Sequence, residues 1–169
     1  QLTYNSMLCS EIKTKAENLK LDNIKIYTYH SLAVRYYLPD AHTDTVLRQI
    51  IRKNIPPRVP IPHFDVLVID EAQDKTFLYF RFLITFCRDM GKPIQILVLG
   101  DYMQGLYDFK GADTRFLTHA DEIWSPFELL KSPIFTRCYL KMSYRITNPM
   151  ADFVNHAMLG EERLLACRD

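Results

Sequence analysis

Residues 64–76 read FDVLVIDEAQDKT, an apolar run that breaks into three acids, Asp70, Glu71 and Asp74, with the amide Gln73 among them. The apolar part predicts a buried β-strand over residues 66–69, and such a nearly continuous run suits a sheet with helices on both faces. A strand of that kind gives rigid aim. A carboxylate at its tip can hold Mg2+ through oxygen ligands or bound water, and a neighbouring carboxylate can orient or deprotonate an attacking water. The plain alternative is a solvated turn, and on this stretch alone the two readings are evenly matched.

Working outward, residues 94–99 (IQILVL) form a second buried strand that ends in Gly100-Asp101 and then Gln104. Gln104 can donate and accept, which suits sensing a phosphate oxygen without adding charge. A helix is expected over residues 76–90, stopped by Gly91 and Pro93. Upstream, residues 8–19, 30–38 and 43–53 read as helices and residues 24–29 (IKIYTY) as a strand. The proline-rich stretch 54–62 is a linker. Downstream, a helix is expected near residues 113–122, a last strand over residues 137–143 and a helix from about Pro149. Buried strands alternating with helices predict a doubly wound α/β sheet, in which ligands bind outside the carboxyl ends of the strands.

Composition narrows the function. The 169 residues are 48% hydrophobic with a net charge of +1, enough for a core and without a strongly basic footprint. That argues against purely electrostatic nucleic-acid binding but leaves a binder that stacks bases and uses a few local charges. Cys9, Cys87, Cys138 and Cys167 form no CxxC pair, and the five histidines have no metal-ligand spacing. No apolar run reaches the roughly 20 residues of a membrane span, and no signal-peptide pattern opens the chain, so a soluble intracellular protein is expected. Nucleus, cytoplasm and a viral replication site are not distinguished by composition.

VIDEAQD at residues 68–74, followed by LVLGDYMQGLYDFKGAD at residues 97–113, resembles motifs II and III of the UvrD/Rep-like superfamily 1 helicases. The flanks keep the family's order. LTYN at residues 2–5 resembles motif Ia, TYHSLA at residues 28–33 motif Ib, and LKMSYR at residues 140–145 motif IV. The resemblance implies a RecA-like P-loop NTPase fold, a parallel sheet flanked by helices. It covers residues 1–169 as a partial first RecA-like domain that lacks the P-loop strand. No G-x-x-x-x-G-K-[ST] occurs: the Gly91-Lys92 pair is followed by Pro93 and lacks the upstream glycine. The chain is expected to begin in mid-fold, with the P-loop before Gln1 and a second RecA-like domain after Asp169. Without the central P-loop strand, the isolated chain is expected to be unstable or prone to aggregate.

By the same resemblance, Asp70 would hold Mg2+ and Glu71 would be the catalytic base for ATP hydrolysis. Gln73, Asp74 and Asp101 would serve the nucleotide side, and Gln104 would contact the γ-phosphate. Arg145 would stabilise charge on the transferring phosphate, and Tyr144 would stack on adenine. Tyr4, Asn5, His30, Ser31, Tyr107, Phe109 and Lys110 would contact DNA, with Phe109 as the base-stacking aromatic. Lys110 stands where the family usually has Arg, which keeps charge but loses the planar fork. Core packing for Phe109 and helix capping for His30 and Ser31 are the competing readings. The stretch between Ser31 and Phe64 leaves no room for a large inserted subdomain.

The implied function is part of an ATP-dependent DNA helicase or translocase, moving 3′ to 5′ on single-stranded or partly duplex DNA. The alternative is a non-catalytic, helicase-derived module that binds single strands or proteins. A metal-dependent nuclease built on Asp70, Glu71 and Asp101 is disfavoured, because no further acids or catalytic Lys or His assemble around them.

Overall fold

The computed structural model describes residues 1–3, 5–105, 111–132 and 134–168, in two units, Gln1–Phe135 and Thr136–Asp169. In the first unit, helix starts are set by side chains that cap orphan backbone N–H groups. Asn5 Oδ1 accepts from the amides of Met7 (2.8 Å) and Leu8 (3.4 Å) and opens α1, Ser6–Asn18. Thr28 opens α2, Tyr29–Tyr36, in a reciprocal box. Its Oγ1 accepts from Ser31 N (3.1 Å), and Ser31 Oγ accepts from Thr28 N (2.8 Å). Thr43 caps α3, Asp44–Arg52. Helix α4, Phe77–Met90, stops at Gly91, whose φ of +71° is the left-handed conformation of a C-terminal cap.

Four parallel strands lie between these helices: β1 (Leu2–Thr3), β2 (Tyr27–Thr28), β3 (Val66–Ile69) and β4 (Gln95–Val98), in the order β2-β1-β3-β4. Leu2 pairs with both Tyr27 and Ile69, and Ile69 with Val98. The register therefore places Asn5, His30, Asp70 and Asp101 just beyond the same, carboxyl edge of one sheet. The α/β class read from the sequence is the observed one.

Period-2 alternation decides which strand face meets the core. Leu67 and Ile69, paired with Ile96 and Val98, point toward a cluster that includes Tyr36, Leu47, Ile50, Phe82, Leu83 and Phe86. On the opposite face Val66 and Leu97 are 45% and 46% exposed, so among the described residues β3 and β4 are covered on one face only. Both faces were expected to be covered. That condition holds at β1, where Leu2 and Thr3 are both buried. The linker 54–62 has no helix or strand and is pinned to α2 by Arg58, whose amide donates to Tyr36 O at 2.8 Å and whose guanidinium donates to Val34 O at 3.0 Å.

The strand expected over residues 24–29 shrinks to Tyr27–Thr28, because the Thr28–Ser31 box commits Tyr29 to α2. The helix expected near residues 113–122 is two short ones, α5 (Arg115–Thr118) and α6 (Ala120–Trp124), broken at His119.

In the second unit β5 (Met142–Thr147) pairs in parallel with β6 (Leu165–Arg168). Between them α7 (Asn148–Phe153) runs into a π-helical turn, Val154–Leu159. The strand was expected over residues 137–143. Its pairing with β6 instead begins at Met142, and residues 137–141 have no regular structure. Pro149 stands in the first turn of α7, as expected. Asn155, buried, fixes the return to β6: its amide donates to Leu164 O (2.8 Å) and accepts from Leu164 N (2.9 Å) and Arg163 N (3.2 Å).

Candidate functional site

At the carboxyl ends of β3 and β4 the two polar turns are tied into one structure. Asp70 follows β3 directly, and its Oδ1 accepts from the amide of Glu71 at 3.0 Å. Its Oδ2 accepts from the side-chain amide of Gln1 at 2.8 Å. Glu71 has φ +51° and ψ +50°, a left-handed backbone that a non-glycine residue adopts at a cost of about 1–2 kcal/mol. Its neighbours hold that conformation: Ala72 N donates to Leu99 O (2.9 Å), and Asp74 N donates to Glu71 O (3.1 Å). Strain of this kind is maintained where the surroundings over-determine it. Here it sets the direction of the Glu71 carboxylate.

The link between the two turns is Gln73, only 1% exposed. Its Nε2 donates to Glu71 Oε2 at 2.6 Å, and its Oε1 accepts from Asp101 N at 3.2 Å. One buried amide thus reads the position of the Glu71 carboxylate on one side and the β4 turn on the other. Asp101 in turn shapes that turn, with Oδ1 accepting from Met103 N (3.0 Å) and Oδ2 from Gln104 Nε2 (2.8 Å). Gln104 and Asp101 are exposed at the mouth.

Gly100 is required for this bridge. A Cβ there would stand 2.3 Å from Gln73 Oε1 and 3.1 Å from Ala72 N. Gly100→Ala is therefore expected to displace Gln73 and to destabilise the unit by about 1–3 kcal/mol, the range for overpacking. Thermal unfolding measures this, and the Gly100→Ala/Gln73→Ala pair should cost less than the sum of the single changes, because Gln73→Ala removes the collision. Strict additivity would mean that the two sites do not meet.

Behind the acids lies a residue the sequence reading passed over. Lys75 is 3% exposed, with Nζ 5.0 Å from the centre of the Tyr29 ring. Burial pulls its pKa down to about 8, against the attraction of Asp74, Asp70 and Glu71. Asp74 is shifted up, first by burial and then by the Glu71 charge, with Lys75 opposing. The contact path continues. Tyr29 stacks on Tyr79 at 4.6 Å, Tyr79 Oη donates to Asp44 Oδ1 (3.0 Å), and His30 Nε2 lies 3.2 Å from the same oxygen. Packed and hydrogen-bonded side chains therefore run from the acidic turn to His30 at the end of β2. The signal in the sequence was the lysine directly after DEAQD, a residue type normally exposed.

The other expected site residues divide by what they touch. Ser31 belongs to the cap of α2 and Asn5 caps α1, so both have structural partners at the sheet's carboxyl edge. Tyr144 and Arg145 stand exposed on β5, in the second unit. Tyr4, Tyr107, Phe109 and Lys110 lie outside the described residues.

The carboxylates suit only one style of metal binding. Among the described residues no cluster of three or more His, Cys, Asp or Glu side chains could cage an ion. Mg2+ with a nucleotide is held by one or two carboxylates, waters and phosphate oxygens, and each Asp70 oxygen keeps a lone pair beyond the hydrogen bond it accepts. Asp70 thus fits a water-mediated Mg2+ contact. No described helix is long and apolar enough to cross a membrane.

No curated protein matches the chain. The family model of the UvrD/REP helicase N-terminal domain matches residues 61–123. That span holds β3, the acidic turn, α4, β4 and the Asp101–Gln104 turn. Residues 61–123, where Gln73 joins Glu71 to Asp101 on a parallel α/β sheet, are thus similar to the N-terminal domain of UvrD/REP helicases.

Proposed function

We propose that the chain is part of an ATP-dependent helicase or translocase that moves 3′ to 5′ on single-stranded DNA, as a partial first RecA-like domain. The observation that carries this reading is the Gln73 bridge, which links a carboxylate able to act as a base to a second strand-end turn. UvrD-family helicases use ATP and Mg2+. When bound, Mg2+ would offset phosphate charge, with Asp70 holding it through water.

The chain's own residues then do the following. Glu71 accepts the proton of the attacking water as its oxygen bonds to the γ-phosphorus, and the bond from that phosphorus to the β-bridging oxygen breaks to release ADP. Gln73 keeps the Glu71 carboxylate aimed, with Asp74 packed behind it. A change at Gln104 on contact with the γ-phosphate passes through Asp101 to the same amide. Arg145 stabilises charge on the transferring group, and Tyr144 stacks on the base. The phosphate-gripping loop comes from sequence outside these residues. On the nucleic-acid side, Tyr4, Asn5, His30, Ser31, Tyr107, Phe109 and Lys110 follow the strand.

The test is Mg2+-dependent ATP hydrolysis by the parent chain, extended upstream by about 40 residues to span a strand, P-loop and helix. Oligo-dT is expected to stimulate hydrolysis. Failure of that chain to hydrolyse ATP with or without oligo-dT would replace this reading by that of a non-catalytic binding module.

A further inference from the structure

Beside His30, helices α3 and α4 enclose a groove that none of the motif residues explains. Arg48 and Arg52 line it from α3, and Phe77 and Arg81 from α4, with Asp44 and Gly111 also in the lining. Each pair is four residues apart, so each helix presents two stacked side chains to the groove. Phe77 is 63% exposed although it opens a largely buried helix, and the Arg81 guanidinium lies 5.9 Å over its ring. Arg48, Arg52 and Arg81 are exposed, and among the described residues none forms an ion pair with a carboxylate. Asp44, the acid in the lining, already accepts from His30 and Tyr79.

We propose that this groove binds single-stranded nucleic acid, with the arginines on successive phosphates and Phe77 as a stacking plate for a base. Guanidinium forks match phosphate oxygens, and an exposed ring offers every base a flat face. The shared Asp44 makes the groove continuous with His30, and Thr76 joins it to the end of the acidic turn. This rests on the reading of the chain as a single-strand translocase and extends its track to the α3–α4 face.

The test is fluorescence anisotropy of a labelled oligo-dT of about 16 nucleotides, the upper size of one such binding site, without nucleotide. Arg48→Ala/Arg81→Ala is expected to weaken binding roughly tenfold or more, the loss of two charge-assisted contacts. The slope of log affinity against log salt should become shallower by about 1.4, at about 0.7 per phosphate. Phe77→Ala should weaken binding roughly five- to a hundredfold. Lys20→Glu/Lys25→Glu, on the loop before β2, changes net charge elsewhere and should leave affinity within about twofold, well short of one lost charged contact. Circular dichroism melting separates lost contacts from lost fold.

Unchanged affinity and salt slope in the arginine variant overturn the proposal. So does displacement by poly-glutamate as effective as by unlabelled oligo-dT, or an oligo-dT that the unaltered chain does not bind. None of these outcomes touches the hydrolysis assay, which judges the nucleotide site separately.

Discussion

Glu71→Gln in the parent chain will lower the turnover of ATP by roughly two to four orders of magnitude, the usual share of a positioned general base. It will leave nucleotide affinity within a factor of about two, because only the transition state needs the proton accepted. The structure explains why the variant isolates chemistry from fold. Glu71 Oε2 is an acceptor for Gln73 Nε2 at 2.6 Å, and the amide oxygen of a glutamine can take the same bond. The left-handed backbone at residue 71 is held by main-chain bonds, Ala72 N to Leu99 O and Asp74 N to Glu71 O, which the substitution does not alter. Unfolding midpoints of the two proteins should therefore agree. Equal turnover would remove Glu71 from the reaction, and a fall in affinity as large as the fall in turnover would make it a binding residue instead.

What could be read in advance depended on whether a local rule was enough. β3 was legible because an apolar run bounded by charge reads as a buried strand. The acids after it divided evenly between a solvated turn and a site until the second strand-end turn was set beside them. The strand expected over residues 24–29 failed on another local rule. The alternating IKIYTY pattern favours a strand, but the Thr28–Ser31 box is stronger at its end. The misplaced strand near residue 140 failed for a non-local reason. Both 137–143 and 142–147 carry strand-forming residues, and the choice between them is made by β6, whose Leu165 pairs with Met142. The Gln73 bridge is of this second kind. It exists because the register of β3 against β4 brings residue 73 under Asp101, and because Gly100 leaves room for an amide oxygen. The two strand-end turns could be picked out separately, but the bond that unites them could not.

Lys75 was the least legible residue, and replacing it should produce a change opposite to what a charged residue among three acids suggests. Lys75→Met is expected to stabilise the first unit at pH 7. Burial lowers the folded-state pKa to about 8, against an unfolded value near 10.4. The ammonium therefore carries a penalty of up to about 3 kcal/mol below pH 8. Loss of the contact with Tyr29, worth about 2 kcal/mol when desolvated, returns part of the gain. A net increase of up to about 1 kcal/mol should remain.

The sign of the pH dependence is fixed by linkage. Between about pH 8 and 10.4 the unfolded chain binds more protons at Lys75 than the folded one, so this residue makes the wild type more stable as pH rises. Cys87 works in the other direction. Burial pushes its thiol up to about 12, so above pH 8.5 the unfolded state loses that proton first and stability falls. Wild type and variant share Cys87, and their difference cancels its contribution. The advantage of Lys75→Met, measured by urea unfolding at a series of pH values, should be full at pH 7, shrink from pH 8 and vanish or reverse by about pH 10.4. A variant less stable than wild type at pH 7 would mean that attraction to Asp70, Glu71 and Asp74 outweighs desolvation. The lysine would then be part of what holds the acidic turn in place.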